Sequence, residues 1–276
     1  MTANEDQIKF WNEKAGQNWT VLQERMDANL ADIGDAVLAF AGAKPGEVVL
    51  DVCCGTGATT LALARAGAKV TGLDISKPML DLARSRAIQA GLDISFIEAD
   101  ASAYAFQPEF DLIFSRFGVM FFDDPIGAFA NLHKALKPGG RLAFVCWRTA
   151  PENLWASTPL AAARPFLPEQ PAPDPNAPGP FAFADPQRVL SILTDVGFHH
   201  VETSKYDGVM RMGRDSAAIA AQTLQIGPLS RAVGEADEAT REKIVEAVRG
   251  AMEKFRTPDG EIAPPTACWL VSAVKA

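Results

Sequence analysis

Val48-Val49-Leu50-Asp51-Val52-Cys53-Cys54-Gly55-Thr56-Gly57 is the stretch that decides the fold. An apolar strand runs into a glycine turn, and Thr59 to Ala66 carries the pattern of a helix directly behind it. Glycine permits the left-handed backbone of such a turn and leaves room for a ligand, while the unpaired N–H groups of the helix start face whatever lies above. A nucleotide-like ligand is the expectation. Two carboxylates sharpen it. Asp51 ends the first strand inside the site, and Asp74 ends the next one, Lys69 to Asp74, where an acid is placed to take both ribose hydroxyls.

Outward from this turn, strand and helix patterns alternate from Glu47 to Arg148, which predicts a parallel sheet with helices on both faces. The strands read as Val48 to Val52, Val70 to Asp74, Ile94 to Glu98, Phe110 to Ser115 and Arg141 to Trp147. Met79 to Ala90 and Ile126 to Leu136 have helical spacing, and Pro138-Gly139-Gly140 ends the second of these helices. Asp6 to Ala41 reads as two helices, with Phe10, Trp11, Trp19 and Leu22 on the first. Packing against the sheet is the plain role of these aromatics, but Trp19 is a candidate ligand contact, since large amphipathic aromatics suit a pocket mouth.

Pro165 to Pro186 holds eight prolines in 22 residues, which excludes regular helix and central strand there. Asp185 as N-cap, Pro186 at the first position and Gly197 as the stop then bracket a helix with Leu190, Leu193 and Val196 inward. His199 to Tyr206 reads as a sixth strand and Thr266 to Val274 as the last. Between them lies a helical insertion, Asp215 to Arg256, whose Ile244, Val248, Ala251, Met252 and Phe255 share one face. It is either a substrate lid or a helix pair that forms a homodimer. The chain therefore divides into N-terminal helices over 1–45, a Rossmann-like core over 46–210 completed by a final strand over 263–276, and the insertion over 211–262. Seven strands are expected, mostly parallel, the last antiparallel.

A chain of 276 residues buries one large core, or a core with an appended cap. Net charge −8 and pI near 5.0 argue against a polyanionic partner, because phosphate backbones need clustered Lys and Arg. A small-molecule acceptor is expected instead of nucleic acid. The acidic start Met1-Thr2-Ala3-Asn4-Glu5-Asp6 lacks a signal-peptide pattern, so a cytoplasmic location is expected, and no apolar run reaches the roughly 20 residues of a membrane span. Cys53-Cys54 has neither CxxC spacing nor a nearby histidine, so no metal is expected.

Four stations in order resemble the class I S-adenosylmethionine-dependent methyltransferases: the turn Asp51 to Gly57; Asp74 with Ile75-Ser76-Lys77-Pro78-Met79-Leu80; Glu98-Ala99-Asp100-Ala101; and Phe110 to Arg116 followed by Leu136-Lys137-Pro138-Gly139-Gly140-Arg141-Leu142. Cys53 departs from the pattern by standing where many members carry the first glycine. A similar Asp-Val-Cys-Cys-Gly-Thr run occurs in quinone methyltransferases of the ubiquinone and menaquinone type. The resemblance implies S-adenosylmethionine as cofactor and S-adenosylhomocysteine as product. It implies that Asp51 sits near the amino group, that Cys53, Gly55, Thr56 and Gly57 approach the methionyl and ribose portions, and that Asp74 takes the ribose. By the same resemblance Asp100 and Ala101 serve the adenine edge, Ile75 and Met79 its faces, and Ser115 belongs to the cofactor site. Asp100 has a second reading, as a helix N-cap.

The transferred methyl is already activated in such a cofactor, so the protein has mainly to align the nucleophile and exclude water. His133, on a helix, and His199 and His200, at the start of the sixth strand, are poor candidates for a base. Arg116, just past the fourth strand, is better placed to hold an anionic acceptor, or else to pair with Asp123. Ser115-Arg116-Phe117 replaces the Asn/Asp-Pro-Pro-aromatic signature of amine methylation, which points to oxygen or carbon of a small, partly apolar molecule. A nicotinamide-dependent oxidoreductase is the competing enzyme class. Against it stand the missing third glycine and a pyrophosphate that would face Asp51. A cofactor-binding protein without turnover is the remaining alternative.

Overall fold

A computed structural model describes residues 4–169, 174–234 and 236–276; residues 1–3 of the acidic start, 170–173 of the proline-rich stretch and 235 of the insertion lie outside the described residues. In chain order the elements are α1 (Glu5–Asn12), α2 (Lys14–Val21), α3 (Gln23–Asn29), α4 (Ala31–Ala41), β1 (Val48–Val52), α5 (Ala58–Arg65), β2 (Lys69–Asp74), α6 (Lys77–Gln89), β3 (Ser95–Glu98) and β4 (Phe110–Arg116). There follow α7 (Pro125–Ala135), β5 (Leu136–Trp147), α8 (Leu154–Ala163), α9 (Pro186–Asp195), β6 (Phe198–Val209), α10 (Ser216–Thr223), α11 (Pro228–Val233), α12 (Glu238–Met252) and β7 (Pro265–Lys275).

The seven strands form one sheet in the order β3-β2-β1-β4-β5-β7-β6, with β7 antiparallel to both neighbours. Val49, Leu50, Val52, Leu112, Ile113 and Phe114 are fully buried, as strands covered by helices on both faces must be. Removing one such side chain to alanine costs about 2–5 kcal/mol. Strand order runs outward in opposite directions from β1 and β4, so a crevice opens at their carboxyl ends, where ligands bind in doubly wound sheets. Parallel register brings Asp51 level with Gly72 and Phe114, and Asp74 level with Glu98.

Several elements differ from the sequence expectation. The N-terminal region is four short helices instead of two, because Glu13, Leu22 and Leu30 leave helical geometry at each junction. Pro138-Gly139-Gly140 is not a turn ahead of β5. Leu136 already pairs with Phe110, and the register shifts across the proline and glycines, with Gly139 at φ 76°, before Arg141 pairs with Leu112. The inward residues of α9 are Val189, Ile192 and Leu193, while Leu190 and Val196 are half-buried. Sequence reading also passed over α8, an alanine-rich helix with Pro159 inside it. Buried Asn153 holds that helix to the sheet. Its Nδ2 donates to the Ala267 carbonyl at 3.0 Å, and its Oδ1 accepts from the Ala267 N–H at 3.0 Å.

Candidate active site

The glycine turn takes its shape from three left-handed residues, Cys53 (φ 55°), Gly55 (φ 56°) and Gly57 (φ 81°). A cysteine in that region is strained, and its neighbours explain how it fits. A Cβ on Gly118, at the exit of β4, would lie 2.2 Å from the Cys53 Cβ, and one on Gly72 would lie 2.9 Å from the Cys54 sulfur. Each cysteine thus rests on a glycine of an adjoining segment. Burial pushes both thiols well above their ordinary range, with Asp74 and Asp51 adding to the effect, so both are neutral and unsuited to nucleophilic or metal-binding roles. All four cysteines are free.

Two buried carboxylates organise the turn. Asp74 accepts from the Gly55 N–H and the Ser76 N–H, each at 2.8 Å, and so clamps the turn to the start of α6. Its carboxyl is raised by burial against the pull of those amides. Asp51 Oδ2 accepts from Thr59 at 2.9 Å and Thr60 at 2.7 Å, but Oδ1 is buried without a partner. Burial lifts Asp51 to about 6, and the two threonine bonds only moderate the rise. An unpaired carboxylate oxygen there suits an ammonium group.

A cavity over the turn is walled by Trp19, Cys53, Gly55, Thr56, Asp74, Ile75, Met79, Asp100, Ala101 and Arg116. Asp51, Gly57 and Ser115 are not in this wall: Asp51 and Ser115 are fully buried, Ser115 Oγ is unpartnered, and Gly57 packs on Leu61 and Ala83. The cradle requires glycine at 55, since a Cβ would stand 2.9 Å from the Met79 methyl. Asn4, Gln7, Trp11, Leu30, Phe117, Gly118, Phe121 and Phe122, with Cys54, Thr59, Leu73 and Ala99, complete the wall, and the sequence had assigned none of them to the cofactor. Of these, Gly118 had a legible signal, because a bulky residue in a glycine turn requires space opposite it.

Asp100 caps no helix; only a turn follows it. Its oxygens accept from Asn4 Nδ2, at 2.9 Å each, and Oδ1 also accepts from the Ser102 N–H and hydroxyl, each at 2.8 Å. Arg116 does not pair with Asp123, whose Oδ2 accepts from the Asn4 N–H at 2.8 Å. Its guanidinium has no hydrogen bond or ion pair among the described residues. Desolvation lowers its pKa, while the charges of Asp27 and Asp51 pull it back up. His133 is half-buried against Phe198, at 4.9 Å between ring centroids, and His199 and His200 are exposed on the edge strand β6.

A second cavity of about 160 Å³ adjoins the first and shares Trp11, Trp19, Leu30, Phe117 and Phe121 with it. Its floor is the stacked pair Phe117 and Trp147, 3.9 Å apart at 7°. Trp155 packs on Trp147 at 4.8 Å, and its indole N–H donates to Asn153 Oδ1 at 3.2 Å. Met26 and Asn29 of α3 and Gln222, Pro228 and Arg231 of the insertion add further wall. The two roof segments touch: Asn18 Nδ2 donates to the Gln225 carbonyl at 3.0 Å and Arg25 to the Ala218 carbonyl at 3.3 Å. No group of three or more metal-ligating side chains occurs among the described residues, and no helix there is long and apolar enough to cross a membrane.

Residues 49–140 match a family described as a methyltransferase domain. An uncharacterised protein of Mycobacterium tuberculosis is 36% identical over 140 residues, 50% of this chain and 50% of its own. The demethylmenaquinone methyltransferase of Thermus thermophilus is 39% identical over 113 residues, 40% of this chain and 51% of its own. The chain thus spans about half the length of these relatives. Among solved structures, the magnesium protoporphyrin IX methyltransferase of Synechocystis, with S-adenosylhomocysteine bound, gives a TM-score of 0.60 at 16% identity, over 98% of this chain and 99% of that one. The phosphoethanolamine N-methyltransferase 2 of Haemonchus contortus, in complex with S-adenosylmethionine, gives 0.54 at 21% identity, over 88% of this chain and 52% of that one. Residues 49–140 therefore match a methyltransferase domain, and the chain as a whole has the Rossmann-like fold of those solved structures.

Proposed function

We propose that the chain transfers a methyl group from S-adenosylmethionine to oxygen or carbon of a small, partly apolar molecule. One observation carries the reading: a cavity over the glycine turn, edged by Asp74 and Asp100, and an aromatic cavity share a wall, so donor and acceptor can meet across it. The residues present fit the cofactor: Gly55 leaves a cradle that any side chain would fill, and Asp51, buried behind the wall, carries an unpaired oxygen that an ammonium group would meet directly or through water. Asp74 would take the ribose hydroxyls, and Asp100 and Ala101 the adenine edge, with Ile75 and Met79 on its faces. When bound, S-adenosylmethionine supplies a methyl activated by a sulfonium.

The remaining work belongs to the chain. Trp19, Phe117 and Phe121 at the shared wall exclude water and orient an apolar acceptor. Arg116 lines the cofactor cavity and not the aromatic one, so it serves an anionic acceptor where that acceptor reaches past the shared wall, its charge uncommitted to any side-chain hydrogen bond. Neither cavity wall contains a histidine, so this reading assigns no histidine base and leaves the stabilisation of an acceptor anion to Arg116. The N-terminal helices and the 211–262 insertion act as a lid over both ligands, and the working location is the cytoplasm. Incubating the protein with methyl-labelled S-adenosylmethionine and a panel of phenols, quinols and small acids tests this. Labelled product with stoichiometric S-adenosylhomocysteine is expected. Cofactor binding without product from any of the panel would leave a binding protein instead of an enzyme.

A further inference from the structure

We infer that the aromatic cavity takes a flat aromatic molecule carrying a hydrogen-bond donor, and that Gln222 is the residue that selects for that donor. The inference rests on the methyltransferase reading only in calling this molecule the acceptor. A cavity of about 160 Å³ is on the scale that accepts small aromatic ligands, and its Phe117, Trp147 and Trp155 rings favour a flat partner.

The polarity of the wall is set by a chain of hydrogen bonds that starts in α3. The Asn29 nitrogen donates to the carbonyls of Arg25 at 3.0 Å and Arg211 at 2.9 Å, since the reverse orientation would put its oxygen against two acceptors. Asn29 Oδ1 therefore accepts, and it accepts from Gln222 Nε2 at 3.2 Å, the same nitrogen that lies 3.2 Å from the Met26 sulfur. The Gln222 carboxamide is thereby fixed with its nitrogen occupied. Its Oε1 is left buried and unpartnered on a side chain only 5% exposed that lines the cavity. A buried amide oxygen without a donor is costly, and a hydroxyl or ring N–H relieves that cost, whereas an ether or carbonyl oxygen would face it with a second acceptor.

Gln222 is absent from the wall shared with the cofactor cavity. It reads a group away from the reacting atom. It is a positioning and specificity residue, and the insertion that carries it supplies acceptor recognition as well as cover.

The probes are 2-naphthol and 2-methoxynaphthalene, which share a ring system and differ in the donor. Binding of each is titrated calorimetrically to the wild-type protein and to Gln222→Leu, with and without saturating S-adenosylhomocysteine, whose own affinity is measured on both proteins. Wild type is expected to bind 2-naphthol about tenfold more tightly than the ether, and Gln222→Leu to lose that preference while binding the ether within about threefold of wild type. Should Gln222→Leu lose S-adenosylhomocysteine binding, Gln222→Met, of similar length, replaces it. No preference in wild type, or a preference that survives the substitution, overturns the inference. Failure of S-adenosylhomocysteine to bind wild type sinks the methyltransferase reading instead, and the naphthol comparison without it still judges Gln222.

Discussion

The two cavities share a wall of Trp11, Trp19, Leu30, Phe117 and Phe121, but the rest of each is built from different parts of the chain and held by different forces. The cofactor side stands on the carboxyl ends of β1, β2 and β4, where one backbone register places the acids and amides together. The acceptor side hangs from short helices at the N-terminus and in the insertion, joined by a few hydrogen bonds such as Asn18 to Gln225. The family match, residues 49–140, takes in the sheet side of the first cavity without its N-terminal residues such as Asn4 and Trp19, and gives the second only Phe117, Met120 and Phe121. On the proposed reading the sheet holds the cofactor, and the choice of acceptor falls to the helical segments outside it.

Asp74→Asn tests the sheet side hardest. Both its oxygens already accept backbone N–H bonds, so an amide in their place turns an NH₂ toward a donor and unclamps the turn as it weakens the ribose contact. S-adenosylhomocysteine affinity, read by calorimetry, should fall about 100-fold, the effect of two lost charged hydrogen bonds. A change under threefold would remove Asp74 from the cofactor site. Trp155→Ala should do the reverse. It removes one wall of the acceptor cavity and should weaken 2-naphthol about 30-fold while leaving S-adenosylhomocysteine within about twofold, since Trp155 lines only the second cavity. Equal losses of both ligands would show that the halves are one unit.

That division also governs what the sequence alone revealed. The strand ends that carry Asp51, Asp74 and Asp100, and the glycine turn beside them, were legible because apolar runs mark where strands stop. Seven strands, mostly parallel with the last antiparallel, were expected, while their order across the sheet came only with the structure. The roof was opaque for a physical reason: helices of seven or eight residues are too short to display a period, so α1, α2 and α3 blurred into one amphipathic stretch. The α8 helix hid its boundary because Asn153 fastens it through tertiary bonds to Ala267, more than a hundred residues away. Gln222 gave no signal in the sequence; Asn29 and Met26, from the other end of the chain, orient it.

Asp51 gives the comparison a pH signature. In the folded protein its carboxyl titrates at about 6, against 3.8 for an ordinary aspartate. The folded state therefore holds the extra proton between those values, so stability declines as pH rises across that window and stays at the lower level above it. A bound ammonium favours the ionised carboxylate, which reverses the sign for binding. S-adenosylhomocysteine affinity should be level above pH 6 and fall toward tenfold per unit below it, with Asp51→Asn flattening the curve. The acceptor cavity's affinity for 2-methoxynaphthalene should not move over the same range. A wild-type curve for S-adenosylhomocysteine that is flat through pH 6 would detach Asp51 from the amino group.

The smallest effect lies where the halves meet. Asn4, at the head of α1, donates its carboxamide to both oxygens of Asp100, and its own Oδ1 accepts from the Asp123 N–H at 2.8 Å. A carboxamide N–H and an adenine amine are the same kind of donor, so an adenine that uses Asp100 competes with the roof for it. Asn4→Ala removes the competitor at the cost of a tether on α1. If the sheet alone fixes the cofactor, S-adenosylhomocysteine should bind about threefold more tightly to the variant, the scale of one exchanged hydrogen bond. If affinity falls instead, Asn4 is holding Asp100 in position and the N-terminal roof is part of the cofactor site. The boundary between the halves then moves from the strand tips into α1.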